Sequence, residues 1–437
     1  MKNLIKSCLT FLLILSFTPA FAQEVNTSDS LTVLKNITII DGLGNEPVAA
    51  QNLIIKGDRI WKITHPNAAI PAESKVIDLS GRYVMPGIVE SHSHLLPPGS
   101  DFRKNNTYML DKLEHALLGG ITTIRDMGGD ARFLAPFKRA AQLDQITSPN
   151  LHYAALMAGP AFFNDPRAAV SSQGVVPGTG PWMPQITKET NIQEAIAAAK
   201  GTGATGIKLY MDLDAELVAQ LSAEAHRQGL KVWAHPYIGP AQAMDLIEAG
   251  VDAISHAGHL LIEVKGFETY RKPGFWEYPG NAPELKGIFD TMKAKGVFLE
   301  PTIFVYDVIE KLDIPGYYND SSTVISQQII REAYDMGVQM ILGTDTVSNN
   351  PTDPYPHIHK EMYLLAEGAG IPALDLIKAA TYNGAQNLGI DADYGSIEPG
   401  KVADLIVLSQ NPVANIRNTQ HIRLVIKNGR LYYRKEE

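Results

Sequence analysis

The chain has 437 residues and a single cysteine, Cys8. This cysteine lies in an N-terminal segment that we expect to be removed, so the mature chain is predicted to contain no thiol. That absence excludes disulfide bonds, zinc ligation by cysteine and a thiol nucleophile. Any metal site must therefore be built from histidine, carboxylate or a modified side chain.

Clustered positive charge is also scarce. The chain has 38 Lys+Arg against 47 Asp+Glu, a formal net charge of −9, and it has no long run of basic residues. Because binding to a phosphate backbone needs clustered positive charge, we expect no nucleic-acid partner. With 45% hydrophobic residues, the composition instead indicates a globular protein with a substantial core.

Residues 1–22 have the pattern of a secretory signal peptide. Lys2 and Lys6 precede an apolar stretch that is shorter than the about 20 residues of a spanning helix. Ala20-Phe21-Ala22 then fits a cleavage site of small residues. We therefore expect cleavage after Ala22, a short tail over residues 23–30, a periplasmic or secreted location and no stable membrane anchor.

The pattern of the remaining chain changes twice. Residues 31–85 and 394–437 alternate short apolar runs with turn residues, which is typical of β-strands. Residues 86–393 alternate strand-like apolar bursts with helical periods, as in a parallel α/β sheet. The bursts are eight in number, at residues 88–94, 122–126, 152–155, 206–210, 232–235, 253–256, 297–300 and 340–345. We predict a (β/α)8 TIM barrel, with a small β-sandwich domain formed by the two terminal segments.

Metal-compatible side chains stand at the ends of several bursts, where barrel enzymes carry their working groups. The first burst ends in His92-Ser93-His94, and residues two apart in a strand face the same side. Later bursts add one lysine, two histidines and one aspartate, namely Lys208, His235, His256 and Asp345. We predict that these six groups form one metal site at the mouth of the barrel.

Each of these residues also has a simpler interpretation. Taken alone, His235 or His256 is more often a core or rim histidine, Lys208 an ion-pair partner, and Asp345 a helix cap. The joint placement at strand ends favours the metal site. The similar spacing at His357-Ile358-His359 lies in a proline-rich loop and is left outside the predicted ligand set, as is His259.

Five motifs resemble those of the amidohydrolase superfamily, in its imidazolonepropionase-like and prolidase-like branch. The first, Pro86-Gly87-Ile88-Val89-Glu90-Ser91-His92-Ser93-His94, is similar to that family's first-strand signature, with Glu90 in place of the usual aspartate. The others lie at residues 120–129, 250–256, 343–345 and 379–405. A Gly-Gly-His-Gly-Asp stretch that is common after the third strand in members of this branch is absent here. We therefore do not carry the substrate recognition of those relatives over to this chain.

The resemblance implies a binuclear centre with two divalent metal ions, for which zinc is favoured and iron or manganese are alternatives. In these branches the strand-four lysine is carboxylated by carbon dioxide, so Lys208 is expected to bridge the ions as a carbamate. His92, His94 and Asp345 would bind one ion, and His235 and His256 the other. The expected activity is hydrolysis of an amide in a small substrate, such as a dipeptide or N-acyl amino acid, through a metal-bridging hydroxide.

Further residues are candidates for roles around this centre. Asp345 is expected to act as general base and then acid. Tyr237 is expected to polarise the carbonyl and contact the substrate, because related branches hold a tyrosine there. His152 and Arg167, near the third strand, are candidates for binding a terminal carboxylate.

Other functions remain open at this point. A mononuclear imidazolonepropionase-like hydrolase of cyclic amides, or a lactonase, would not need Lys208. A mononuclear deaminase usually has glutamate three residues after the strand-five histidine, where this chain has Ile238. A secreted protein that binds metal without catalysis is a further alternative. The sequence leaves the substrate, its stereochemistry, the native metal and any homo-oligomer undetermined.

Overall fold

The structure is a computed structural model that describes residues 30–95, 102–270, 272–312, 321–346 and 353–433. The expected signal peptide, residues 1–22, lies outside the described residues. Within the described ranges, no helix is both long and apolar enough to cross a lipid bilayer.

Seventeen strands are present in the described chain. The N-terminal part contains β1 (Leu31–Ile39), β2 (Val48–Lys56), β3 (Arg59–Thr64), β4 (Lys75–Asp78) and β5 (Tyr83–Pro86). The central part contains β6 (Ile88–Ser93), β7 (Ile121–Asp126), β8 (Asn150–Met157), β9 (Thr179–Gly180), β10 (Met183–Pro184), β11 (Gly206–Leu209), β12 (Lys231–Ala234), β13 (Ala253–Ser255) and β14 (Phe298–Glu300). The C-terminal part contains β15 (Leu405–Leu408), β16 (Ile422–Lys427) and β17 (Arg430–Tyr433).

The helices lie between β6 and β15. They are α1 (Phe102–Leu118), α2 (Ala131–Gln142), α3 (Pro166–Ser171), α4 (Ile192–Gly201), α5 (Ala215–Arg227), α6 (Ala243–Glu248), α7 (Leu261–Lys265), α8 (Pro283–Lys295), α9 (Ile303–Leu312), α10 (Ser322–Asp335), α11 (Ile358–Gly368), α12 (Ala373–Lys378) and α13 (Gly384–Leu388). A π-helical turn, Ala379–Asn383, joins the last two.

Local chemistry explains where these helices begin and which face they bury. The side chain of Asp214 accepts a hydrogen bond from Leu217 N at 2.9 Å and so caps the start of α5. Leu217, Val218 and Leu221 are buried on one side of that helix, at the spacing of a helical face. Such amphipathic helices pack around the central strands and enclose the barrel core.

The predicted (β/α)8 barrel is confirmed. Seven parallel strands are bonded in the order β14-β13-β12-β11-β8-β7-β6. The eighth burst has no regular strand, but residues 339–346 bridge the two ends of this sheet. Ile341 N donates to Leu299 O at 3.0 Å, and Ser91 N donates to Leu342 O at 2.9 Å.

Close backbone approach explains the irregular eighth segment. A Cβ atom on Gly343 would lie 2.5 Å from the Cβ atom of His92, so only glycine fits there. Asp345 then adopts a φ of 54°, which lies outside the strand region. These two residues break the ladder at the end of the segment, where Asp345 N donates to His92 O at 2.9 Å.

The terminal segments form the second β unit, as expected from the sequence. Hydrogen bonds join eight strands into one sheet in the order β17-β16-β15-β5-β1-β2-β3, with β4 also paired to β1. Its own apolar core includes Leu34, Leu53, Val84, Leu405 and Ile426.

A buried ion pair ties this sheet to the base of the barrel. Lys427 Nζ lies 2.9 Å from Asp404 Oδ2, and both side chains are 4% exposed. The same ammonium donates to Asn150 Oδ1 at 3.0 Å, at the first residue of β8. Asp404 Oδ1 also accepts a hydrogen bond from Asn428 N at 2.7 Å.

Lys427→Met is expected to lower the free energy of unfolding by about 3–5 kcal/mol, because it leaves the Asp404 carboxylate buried without its cation. Urea denaturation followed by circular dichroism measures this loss. Lys295→Met is the control, since Lys295 pairs with Glu248 at the surface at 2.9 Å, and it should cost less than about 1 kcal/mol. Adding Asp404→Asn to Lys427→Met should recover part of the loss. Equal losses of unfolding free energy in Lys427→Met and in the control Lys295→Met would contradict this prediction.

Candidate metal centre

The six predicted ligands converge at the C-terminal ends of the barrel strands. They come from the ends of β6, β11, β12 and β13 and from the segment that closes the barrel: His92, His94, Lys208, His235, His256 and Asp345. The alternation of an extended chain places His92 and His94 on the same side of β6, with ring centroids 5.5 Å apart. His92 is fully buried, whereas the side chain of His94 is 30% exposed.

Asp345 is the residue shared by three of the imidazoles. Its Oδ1 lies 3.1 Å from His94 Nε2 and 3.3 Å from His92 Nε2. Its Oδ2 lies 3.9 Å from His256 Nδ1. Burial alone would raise the pKa of Asp345, but the neighbouring imidazoles hold it well below its ordinary value. The carboxylate is therefore ionised and available as a ligand.

His235 and His256 form the other side of the cluster. Their ring centroids are 4.6 Å apart, and burial holds the pKa of both imidazoles well below the ordinary value. His235 Nδ1 lies 3.2 Å from Tyr237 O, and His256 Nδ1 lies 2.8 Å from Thr302 Oγ1. Both rings are thus neutral, as metal ligation by imidazole requires.

Lys208 is buried beside these imidazoles. The side chain is 3% exposed, and its Nζ lies 3.2 Å from His92 Nε2. Burial lowers the pKa of Lys208 to about 8, although Asp345 and Glu300 act in the opposite direction. Burial thus favours the neutral amine compared with an exposed lysine, and this is the form that can react with carbon dioxide.

Glu300, the last residue of β14, orients His92. Its Oε2 lies 2.7 Å from His92 Nδ1 and accepts a hydrogen bond from Ser255 Oγ at 2.6 Å. Its Oε1 accepts a hydrogen bond from Arg125 at 2.6 Å. Burial would raise the pKa of Glu300, but Arg125 and His92 lower it, so the carboxylate is ionised. We assign the Nδ1 proton of His92 from this contact, which leaves Nε2 free to face the mouth.

Arg125 is itself held from several directions inside the barrel. Its guanidinium donates to Ser91 O and to Asn387 Oδ1 and lies 4.3 Å from the ring centroid of Trp233. Burial lowers the pKa of Arg125, while the charges of Glu300 and Glu90 raise it. The cation is thus fixed below the mouth, where it supports Glu300.

Glu90, the residue that departs from the family signature, holds the barrel-closing segment. Its carboxyl oxygens accept hydrogen bonds from Thr344 N at 2.9 Å, Thr344 Oγ1 at 3.1 Å and His92 N at 3.2 Å. Burial raises the pKa of Glu90 to about 8. Glu90 therefore positions the backbone next to Asp345.

The donor set fits a divalent cation. One ligand atom each from His92, His256 and Asp345 lies within 4.8 Å of the others. An imidazole kept neutral by burial, as at His256, and an ionised carboxylate, as at Asp345, are donors that zinc and related divalent ions prefer. His256 and Asp345 also have φ angles of 61° and 54°, a strained conformation that clusters at functional sites.

Three further residues were predicted to contact the substrate. Tyr237 lies at the rim of the mouth, where its ring stacks on Phe267 with centroids 4.6 Å apart. Arg167, in α3, forms an ion pair with Asp165 at 2.7 Å. Burial raises the pKa of Tyr210, while the nearby Arg167 lowers it, so the two side chains are neighbours. The ring of Tyr210 meets that of His235 edge to face at 5.6 Å, so Tyr210 lies beside the mouth.

His152 is not brought to the mouth. It is the third residue of β8, which ends at Met157, so it lies at the opposite end of the strand. Burial together with Lys138 and Arg125 lowers the pKa of His152 to about 3. The imidazole is therefore neutral and unsuited to binding a carboxylate.

Sequence reasoning missed Glu300 and left His259 outside the predicted ligand set. Glu300 ends the seventh burst, so the strand-end rule that identified the other groups could have found it. His259 is buried, with its ring centroid 5.1 Å from that of His235, and no sequence signal distinguished it. By contrast, His359 lies away from the mouth, with Nδ1 2.9 Å from Thr419 Oγ1 and Nε2 2.9 Å from Gly119 O.

Comparison with known families gives the class of the protein. The profile of the Amidohydrolase family matches residues 83–432, and the chain belongs to this family. The resemblance drawn from its motifs is thereby confirmed.

Curated relatives match over shorter stretches. A 5'-deoxyadenosine deaminase of Methanothermobacter thermautotrophicus is 35% identical over 111 residues, 24% of this chain and 26% of that protein. An imidazolonepropionase of Picrophilus torridus is 35% identical over 97 residues, 22% of this chain and 23% of that protein. The chain thus spans about a quarter of the length of these relatives.

Solved structures share the fold over nearly the whole chain. A Xaa-Pro dipeptidase with methionine bound in its active site has a TM-score of 0.72 at 24% identity, covering 93% of this chain and 100% of that one. An ochratoxinase of A. niger has a TM-score of 0.73 at 21% identity, covering 92% and 96%. At these identities the likeness shows the fold alone.

Glu300→Gln is expected to weaken metal binding about 10- to 100-fold, because the carboxamide no longer stabilises the proton on His92 Nδ1. Chelator competition on the folded protein measures the affinity, and thermal unfolding checks the fold separately. Glu284→Gln, at the exposed start of α8, is the control and should leave the affinity unchanged. An unaltered affinity in Glu300→Gln would show that this carboxylate does not orient the ligand.

Proposed function

We propose that this protein is a metal-dependent hydrolase that cleaves an amide C–N bond in a small substrate, most plausibly a dipeptide or N-acyl amino acid. The observation that carries this proposal is the convergence of four imidazoles, the Asp345 carboxylate and the buried Lys208 at one barrel mouth. Membership of the Amidohydrolase family supports it. The substrate class goes beyond that membership and is part of the proposal.

The described side chains divide into two groups that could each hold an ion. Asp345 Oδ1 lies 3.1 Å from His94 Nε2 and 3.3 Å from His92 Nε2, and these three side chains would hold the first. His235 and His256, with rings 4.6 Å apart, would hold the second. Lys208 lies against His92 and, as a carbamate, would supply oxygen donors to both ions. When bound, divalent ions such as zinc would lower the pKa of water and polarise the substrate carbonyl.

Asp345 is the group placed to move a proton. Its carboxylate is ionised, and its side chain is 22% exposed, so it can reach a water molecule in the mouth. It would accept the proton of the attacking water and return it to the leaving amine. The irregular end of the barrel-closing segment, with the φ of 54° at this residue, keeps the carboxylate at the mouth.

Tyr237 and Arg167 would bind the substrate. Tyr237 is held beside the centre because its ring stacks on Phe267 and its carbonyl contacts His235. From there its hydroxyl could donate a hydrogen bond to the substrate carbonyl. The Nε and Nη2 groups of Arg167 already donate to Asp165, so its Nη1 group would donate to a terminal carboxylate of the substrate.

A one-metal hydrolase is the second candidate. It is favoured by the compactness of His92, His256 and Asp345, whose ligand atoms lie within 4.8 Å of one another without any contribution from Lys208. The number of ions per chain distinguishes the two candidates.

The direct test combines metal analysis of protein purified without chelator with a hydrolysis panel of dipeptides, N-acyl amino acids and lactones. We expect two ions per chain, cleavage of an amide, loss of activity with a chelator and recovery on adding back the ion. One ion per chain would favour the second candidate. Metal binding without turnover of any panel member would indicate a binding protein and contradict the proposal.

Lys208→Ala is expected to lose metal and activity, with partial rescue by a short carboxylic acid such as propionate, which can replace the carbamate oxygens. Metal content and hydrolysis rates, with and without the acid, measure this. Lys138→Ala is the control, because Lys138 is half-buried and donates to Gly203 O at the far end of the barrel from the predicted ligands. It should retain metal and be insensitive to propionate; full activity in Lys208→Ala would refute the carbamate bridge.

A further inference from the structure

Three aromatic rings form a stack at the rim of the barrel mouth. Phe267 lies 4.6 Å from Tyr237 at an interplanar angle of 16°, and 5.9 Å from Tyr270 at an angle of 26°. About half of Phe267, 49%, is exposed to solvent. We call Tyr237, Phe267 and Tyr270 the aromatic rim.

Hydrogen bonds connect both ends of the aromatic rim to the candidate metal centre. The carbonyl of Tyr237 lies 3.2 Å from His235 Nδ1. The hydroxyl of Tyr270 lies 3.1 Å from His259 Nε2, and the His259 ring is 5.1 Å from that of His235. The exposed part of Phe267 therefore stands beside the mouth.

A closed circuit of edge-to-face contacts holds this rim in place. Successive ring centroids lie 5.1–5.7 Å apart at angles of 77–87°, in the order His259, Tyr270, Phe275, Trp276, Tyr306 and back to His259. Such geometry is the preferred arrangement of aromatic pairs. Phe267 is thus presented by a packed framework, so a partner ring would meet a surface already in position.

Exposure alone does not distinguish Phe267. Trp61 has the same exposed fraction, 49%, but lies on β3 of the terminal sheet, and single exposed apolar residues are common. The distinguishing feature of Phe267 is its stacking on two tyrosines: the carbonyl of Tyr237 contacts the predicted ligand His235, and the hydroxyl of Tyr270 contacts the neighbouring His259.

We propose that the aromatic rim selects substrates that carry an aromatic or similarly flat apolar group next to the scissile amide. This inference rests on the proposed function, because it takes the barrel mouth as the substrate site. A flat ring would extend the stack and cover the exposed part of Phe267, while the polar amide reaches the charged centre. A methyl group in the same place would cover far less of that surface.

Two matched substrate pairs test the selection. N-acetyl-L-phenylalanine against N-acetyl-L-alanine places the ring on the amine side of the amide, and N-benzoylglycine against N-acetylglycine places it on the acyl side. In at least one pair, Phe267→Ala should lower kcat/KM for the aromatic member about 10-fold, equivalent to about 1.4 kcal/mol, and for the small member less than about 2-fold. Phe267→Tyr should keep the preference, and Trp61→Ala is the exposure-matched control.

Equal losses for both members of each pair would overturn the inference, since Phe267 would then only support Tyr237. No loss in either pair would overturn it as well. Titration calorimetry with the same four compounds separates this outcome from failure of the proposed function. If the wild-type protein cleaves none of them but binds the aromatic members more tightly, and Phe267→Ala removes that preference, the rim is supported and the hydrolase proposal fails.

Discussion

The contact between Glu300 and His92 is the interaction on which the rest of the centre depends. A carboxylate buried without water tends to become neutral, and only the adjacent guanidinium of Arg125 and the hydrogen bonds from His92 and Ser255 keep this one ionised. Once ionised, it holds the proton on His92 Nδ1 and directs Nε2 into the mouth. The orientation of His92, on the first barrel strand β6, is therefore set by the charges of Arg125 on β7 and Glu300 on β14.

The sequence predicted the parts of the centre that follow from local geometry. The two-residue period of a strand and the strand-end rule identified His92, His94 and Asp345 without any tertiary information. They could not show that Glu300 pairs with His92, because this contact joins residues 208 positions apart. They also placed His152 near a strand end because the third burst was read too short, whereas the strand continues to Met157.

The same limit applies to the segment that closes the barrel. Its apolar residues predicted an eighth strand, yet the close approach of Gly343 to His92 and the left-handed conformation of Asp345 prevent a regular ladder. A left-handed non-glycine residue costs on the order of 1–3 kcal/mol, and it persists only where its surroundings determine it. Here Glu90 supplies that constraint by accepting two hydrogen bonds from Thr344, the preceding residue. Glu90, which has one methylene more than the usual aspartate, thus supports the backbone of the barrel-closing segment.

The mouth combines a charged centre with an apolar rim. His235 contacts both, because its ring packs on His256 and its Nδ1 contacts the Tyr237 carbonyl. Four of the six predicted ligands, His92, His94, His256 and Asp345, lie in family motifs. Phe267 and Tyr270 lie in a segment after β13 that none of those motifs covers. Under the proposed function, changes in that segment would alter which group is held beside the scissile amide without moving any predicted ligand. This separation explains why motifs that are specific for the family carry so little information about the substrate.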